Sequence, residues 1–192
     1  MDKYVLCITG ASGARYGLKI LKELSKDNFV YLLISNNGYV VLDREEKVSK
    51  DDIKKLINKN VKLINVRDIS STLASGSRLI ETKGVIVAPC SMNTLANIAN
   101  GVSQNLIHRV CDVALKEKVP LYLLIREMPF SLIHIENMKK VALAGAVVSS
   151  ASPGFYHNPK TVEDMVNFVV GKVLDFFKVK HSLYKKWRKN EN

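Results

Sequence analysis

Val85-Ile86-Val87-Ala88-Pro89-Cys90-Ser91-Met92-Asn93-Thr94 is the stretch on which the fold turns. Val85-Ile86-Val87 is a β-branched run with no polar break, the pattern of a strand buried on both faces of a parallel sheet. Pro89 cannot donate to a sheet ladder, so the strand is expected to end there. Ser91, Asn93 and Thr94 can then cap a helix carrying Leu95, Ala96, Ile98 and Ala99. Such a turn presents backbone N–H groups and hydroxyls at a helix N-terminus, which suits an anion or a polar ring edge. In open α/β sheets, ligands sit in the crevice beyond the carboxyl ends of the strands. Helix capping alone accounts for one such turn, so the other strand ends decide the matter.

The same strand–turn–helix pattern recurs on both sides of this stretch. Residues 4–8 form a strand followed by Thr9-Gly10-Ala11-Ser12-Gly13-Ala14-Arg15-Tyr16-Gly17, which opens a helix with Leu18, Ile20, Leu21 and Leu24 on its buried face. Glycines there let the backbone approach a ligand, and the helix N-terminus favours a phosphate. The spacing is not GxGxxG and no acidic residue follows the second strand, so a mononucleotide fits better than a dinucleotide. Residues 29–34 are the second strand, ending in Ser35-Asn36-Asn37-Gly38. An amphipathic stretch from Tyr39 leads into lysine-rich residues 47–62, where Ile53, Leu56 and Ile57 are spaced as one helix face. Residues 61–66 read as a strand and 70–78, low in bulky side chains, as a mobile loop. Beyond the central turn come a helix over 105–117, a strand over 121–125, a helix over 131–143, a short strand over 146–148 and a long helix over 161–177. Strands alternate with helices throughout, so the expected fold class is α/β, a doubly wound parallel sheet. The expected organisation is one domain over 1–177 and a basic tail over 178–192 that reaches away from the core or onto a neighbouring subunit.

Composition sets limits on function. A chain of 192 residues can bury about 70% of its unfolded surface in one core. Hydrophobic content of 47% and charged content of 24% are ordinary for a globular protein. No apolar run has the length of a membrane span and the start lacks the regions of a signal peptide, so no membrane association and a cytoplasmic location are expected. Cys7, Cys90 and Cys111 are too few and too scattered for a disulfide framework or a zinc site, and read as buried thiols. His108, His134, His157 and His181 are scattered too, and no metal site is expected. The net charge of +11 raises the question of nucleic acid, but no nucleic-acid motif accompanies the lysines and a solvated basic surface explains them.

Several strand ends thus carry polar groups: Thr9 to Ser12, Ser35, Ser91 to Thr94, Arg126-Glu127 and Tyr156. Strand ends of a parallel sheet share one edge, so these groups can converge. Arg109 and Lys116 lie seven apart on one helix, on nearly the same face, and with Arg126 could form a cationic pocket for phosphate. Local pairing with Asp112 or Glu117 is the simpler role for the first two. Glu127 beside that pocket is an acid/base candidate.

Longer blocks carry a resemblance. ITGASGARYG at 8–17, ASGS at 74–77, PCSMNTLANIANGVSQNLIHRVCDVALKE at 89–117, REMPFSLIHIENM at 126–138, GAVV at 145–148 and PGFYHNP at 153–159 are similar to the flavin prenyltransferases of the UbiX type, also described as aromatic-acid decarboxylases. The similarity runs to about Phe177 and leaves out the lysine-rich segment and the tail. It implies a Rossmann-like, flavodoxin-type subunit binding FMN at a subunit interface, commonly in a dodecamer. By motif position, Gly10, Ala11, Ser12, Ser35, Ser91, Met92, Asn93, Thr94 and Arg126 would hold FMN. Arg109, Lys116, Glu127, Tyr156 and Lys172 would hold the phosphate of dimethylallyl phosphate. Some relatives carry Arg at the position of Lys172, and Lys keeps the charge but loses the bidentate fork. Glu45 falls where the family places an acidic residue near the flavin, with Asp43 and Glu46 close enough in sequence to compete for the assignment.

The implied reaction adds a prenyl unit to reduced FMN, first at N5 and then at C6. No metal is needed if cations neutralise the leaving phosphate. Glu127 would manage protons on the phosphate, while Ser12 and Glu45 would assist loss of the C6 proton. The prenylated flavin would pass to a UbiD-type decarboxylase. Two other readings remain open at this level: a flavin-dependent oxidative decarboxylase, which typically has a His in the first half of the chain and a PxMNxxMW block that are absent here, and a non-catalytic flavin carrier or basic interaction module. A homo-oligomer is expected, because a flavin at an exposed strand edge needs a second surface over its ring.

Overall fold

The structure is a computed structural model and describes residues 1–185. Six parallel strands form one sheet in the order β3-β2-β1-β4-β5-β6: β1 (Lys3–Ile8), β2 (Phe29–Ile34), β3 (Val61–Ile64), β4 (Gly84–Cys90), β5 (Leu121–Ile125) and β6 (Val147–Ser150). Every residue of β4 and β5 is buried, as expected for runs with apolar side chains on both faces. Alternation along the strands feeds two cores. Leu6, Ile8, Ile86 and Ala88 face one side, with α1 (Ala14–Leu24), α2 (Asn36–Glu46), α3 (Lys50–Leu56) and α8 (Val162–Phe176). Val5, Cys7, Val85 and Val87 face the other, with α4 (Gly76–Leu79), α5 (Met92–Ala99), α6 (Leu106–Glu117) and α7 (Leu132–Leu143). This is the doubly wound, flavodoxin-like arrangement, and its strand order reverses between β1 and β4.

Four expectations need correction. Pro89 does not end β4: the register against β5 shifts between Val87 and Cys90, and the proline sits in that irregularity, where a missing donor is tolerated. The basic helix is shorter than the lysine run, and only Ile53 of its three apolar residues is buried. Residues 70–78 are not a bare loop. They form a 3-10 turn, Thr72–Ala74, and then α4, and Leu73 and Leu79 are buried among the residues of the second core, which α6 also lines. Two leucines at that spacing anchor the segment despite its serines.

The tail does not leave the core at once. Residues 178–185 turn back along α8, and Val179, Leu183 and Tyr184 pack against the first core. The remainder of the expected tail, 186–192, lies outside the described residues. The excess of lysine is partly answered locally: Lys54 pairs with Asp51 at 2.8 Å and Lys55 with Asp52 at 2.6 Å on α3. Cys7, Cys90 and Cys111 are free and buried, and burial pushes all three thiols up, so they stay protonated.

Candidate functional site

The reversal of strand order makes the α1 and α5 turns neighbours, and Thr9 joins them. Thr9 is only 1% exposed. Thr9 Oγ1 donates to the Pro89 carbonyl at 2.7 Å and accepts from the Ser91 amide at 2.8 Å, while the Thr9 amide bonds the same carbonyl at 3.2 Å. The role of this latch is not legible in the pattern, where Thr9 is one polar residue among several; only its position at the end of a strand buried from Tyr4 to Ile8 hints at it. Thr9→Val keeps the shape but strands the Ser91 amide without an acceptor. The expected loss is about 1–3 kcal/mol in urea unfolding, and an unchanged midpoint would remove Thr9 from this role.

Ser91 caps α5 as its sequence position suggests. Its hydroxyl accepts from the Thr94 amide at 3.2 Å and its carbonyl from the Leu95 amide at 2.9 Å. Of the four amides that a helix leaves unpaired in its first turn, those of Met92 and Asn93 therefore have no partner among the described residues. The α2 turn repeats the arrangement: Ser35 Oγ accepts from the Gly38 amide at 2.9 Å, leaving those of Asn36 and Asn37. Both turns lie at strand carboxyl ends and are suited to an anion or a carbonyl-bearing ring.

The α1 turn has a different use. Gly13 adopts φ +98°, which strongly favours glycine, and starts the helix without a side-chain cap of its own. Glu45, the penultimate residue of α2, supplies the missing acceptor: its Oε2 takes the Gly13 amide at 2.8 Å and the Ala14 amide at 3.2 Å. The expected phosphate cradle at this turn is thus filled by the protein's own carboxylate. Gly10 is set close against Asn37 of α2, and Gly17 lets α1 lie on the Ala88 carbonyl.

Of the three acidic neighbours, Glu45 is the one that accepts from the Gly13 and Ala14 amides. Glu46 pairs with Arg15 Nε at 2.7 Å, whereas Glu45 also accepts from the Ser12 hydroxyl. Burial pushes the Glu45 carboxyl up, but the bonds from Ser12, Gly13 and Ala14 and the charge of Arg126 outweigh it and hold the group below its ordinary value. Arg126 Nε donates to the Ser12 carbonyl at 3.2 Å, so β5 delivers a cation to the same place. Ser12, Glu45 and Arg126 form one cluster, and Glu127 follows it in the chain, its Oε1 accepting from the Met128 amide at 3.1 Å.

The phosphate-binding candidates divide into two groups. Tyr156 and Lys172 meet at Phe168 of α8: the Tyr156 ring is edge-on to it at 5.6 Å, and Lys172 Nζ lies 6.0 Å from its centre. Arg109 and Lys116 are on α6, across the sheet from α8. Each has the local partner foreseen as the simpler role, Asp112 at 2.8 Å and Glu117 at 2.5 Å. Seven residues of helix also separate them by about 10 Å, with Lys116 at the end of α6 that leads into β5. One chain therefore does not gather these cations at its own crevice. Among the described residues no three His, Cys, Asp or Glu side chains are grouped as a metal site.

Fold and site together define a doubly wound α/β protein whose capped turns at the switch point suit a polar ring and an anion. The family model for Flavoprotein matches residues 2–174. The flavin prenyltransferase UbiX of Aquifex aeolicus (strain VF5) is 54% identical over 189 residues, covering 98% of this chain and 100% of that protein. Two solved structures superpose closely. The AnUbiX (PadA1) complex with FMN and dimethylallyl pyrophosphate has a TM-score of 0.92 at 34% identity, covering 99% of each chain. A dodecameric FMN-dependent UbiX-like decarboxylase from Escherichia coli O157:H7 has a TM-score of 0.91 at 37% identity, covering 97% of this chain and 100% of that one. The chain belongs to the Flavoprotein family and, within it, to the flavin prenyltransferases of the UbiX type.

Proposed function

We propose that this protein transfers a dimethylallyl group from dimethylallyl phosphate to reduced FMN, with the residues in the following roles. The observation that carries the assignment is the Ser12–Glu45–Arg126 cluster together with a capped turn that has two amides without a partner among the described residues. FMN fits these residues: the Met92, Asn93, Asn36 and Asn37 amides suit its carbonyls and phosphate, and Arg126 adds positive charge. Gly10, Ala11, Ser12, Ser35, Ser91 and Thr94 complete that wall. When bound in its reduced form, the flavin supplies an electron-rich ring as the acceptor of the prenyl carbon.

The chain's own contribution is charge and proton placement. Breaking the allylic C–O bond leaves inorganic phosphate, and Lys172 with the Tyr156 hydroxyl offers a cation and a donor for its oxygens. Arg109 and Lys116 can join them only from another copy of the chain, given their place across the sheet. This supports a homo-oligomer, and so does the apolar surface of α7 and the loop before it, where Met128 is 87% and Leu132 72% exposed beside Ile133 and Leu143. Glu127, next to Arg126 in the chain, is the proposed group that exchanges a proton with the phosphate. Ser12 Oγ, bonded to an ionised Glu45, can take a proton released in the reaction and pass it to that carboxylate. A UbiD-type decarboxylase is the proposed recipient of the product. No helix among the described residues is long and apolar enough to cross a membrane, and a cytoplasmic location accords with that.

Mass spectrometry of the flavin tests the reaction. Protein loaded with FMN, reduced anaerobically and given dimethylallyl phosphate, is expected to yield a flavin heavier by one prenyl unit, equally well with a chelator present. Unmodified FMN in folded, loaded protein would sink the assignment. A strict magnesium requirement would overturn the role given to the cations.

A further inference from the structure

The segment after α8 closes on the residues around Lys172, and its contacts are specific. Asp175 lies one turn beyond Lys172 on the same helix face. Elsewhere in this chain that spacing yields an ion pair, as between Arg109 and Asp112 or Lys54 and Asp51. Lys172 forms no ion pair among the described residues. Both oxygens of Asp175 are instead engaged from the returning segment: Oδ2 accepts from the Tyr184 hydroxyl at 2.5 Å, and Oδ1 faces His181 Nε2 at 3.2 Å. The Lys172 ammonium lies over two rings, 6.0 Å from the centre of Phe168 and 5.9 Å from that of Tyr184. Gly171 makes this approach possible, since a Cβ there would stand 2.5 Å from the Tyr184 ring and 2.9 Å from His181.

The ammonium and the carboxylate share a cleft of about 590 Å³ at the β6 edge, with the hydroxyls of Ser149, Ser150 and Ser152 and the ring of Phe168. Hydroxyls, one cation and an aromatic wall suit a phosphate ester with an apolar chain, but an unengaged Asp175 would pair with the cation and repel the ester. We propose that Tyr184 is a positioning residue: by holding Asp175 it keeps Lys172 available to the anion. This rests on Lys172 being the donor-phosphate cation, as assigned above.

The test uses the full-length, FMN-loaded protein and calorimetric titration with inorganic phosphate. Tyr184→Phe keeps the ring and removes the bond to Asp175, and the expected result is phosphate bound about tenfold more weakly, some 1.4 kcal/mol. Tyr184→Phe combined with Asp175→Asn removes the competing charge and is expected to restore the affinity to within about twofold of the parent. A purely structural role for Tyr184 would leave the double variant at least as weak as the single one, and that result overturns the proposal. So does a single variant, folded by its melting temperature, that binds phosphate like the parent. The two readings fail separately: the phosphate pattern without any prenylated flavin removes the transferase assignment alone, whereas prenylated flavin without the pattern removes only the role of Tyr184.

Discussion

Glu45→Gln is expected to slow conversion of reduced FMN by about two to four orders of magnitude while leaving the flavin bound, the range for loss of a positioned acid or base. The separation follows from what Glu45 does. As an acceptor it caps α1 through the Gly13 and Ala14 amides, and the glutamine carbonyl oxygen can still accept there. As an ionised group bonded to Ser12 it can receive a proton, and an amide cannot. Single-turnover spectra of the flavin measure the first effect and a melting curve the second. Equal, modest losses in both would reduce Glu45 to a helix cap. The pH dependence has a definite sign. The folded value lies below the ordinary 4.5, so the stabilisation from this carboxylate is complete above that pH and fades as pH falls through the lowered value.

Gly17→Val is expected to cost at least about 3 kcal/mol, the upper end of the usual range for overpacking. Its Cβ would stand 2.5 Å from the Ala88 carbonyl oxygen and 2.7 Å from Ile8 Cγ1, and neither the backbone of β4 nor a fully buried isoleucine can yield easily. For a chain of this size that corresponds to a melting temperature lower by about 6–12 °C. Because α1 carries the Gly13 and Ala14 amides that meet Glu45, flavin affinity should fall with stability. A variant that melts like the parent would mean that α1 does not lie on β4 as described.

The two substitutions show different degrees of legibility. Gly17 and Glu45 both stand inside readable patterns, yet glycine in the ITGASGARYG block suggests approach to a ligand, and what it approaches is Asn37 at Gly10 and Ala88 at Gly17. The α1 N-terminus suggests a phosphate, and the anion it holds is Glu45 from 31 residues away. A helix end attracts negative charge whatever its source, so a sequence shows the attraction without showing which group answers it.

By itself the sequence determined the alternation of strands and helices, the burial of the central strands, the cap at Ser91, and the set of polar residues at strand ends. These follow from periods of 2 and 3.6 and from local capping, which depend on neighbours a few residues apart. Only the tertiary structure decided which strand ends touch. Thr9 latches to Pro89 and Ser91 because β1 lies beside β4, Glu45 reaches Gly13 because α1 and α2 pack on one face, and residues 178–185 return to Lys172 because Gly171 leaves room for a ring. It also decided that Arg109 and Lys116 lie across the sheet from Lys172, since which face a helix covers depends on the handed crossover between strands distant in sequence, not on the residues of the helix.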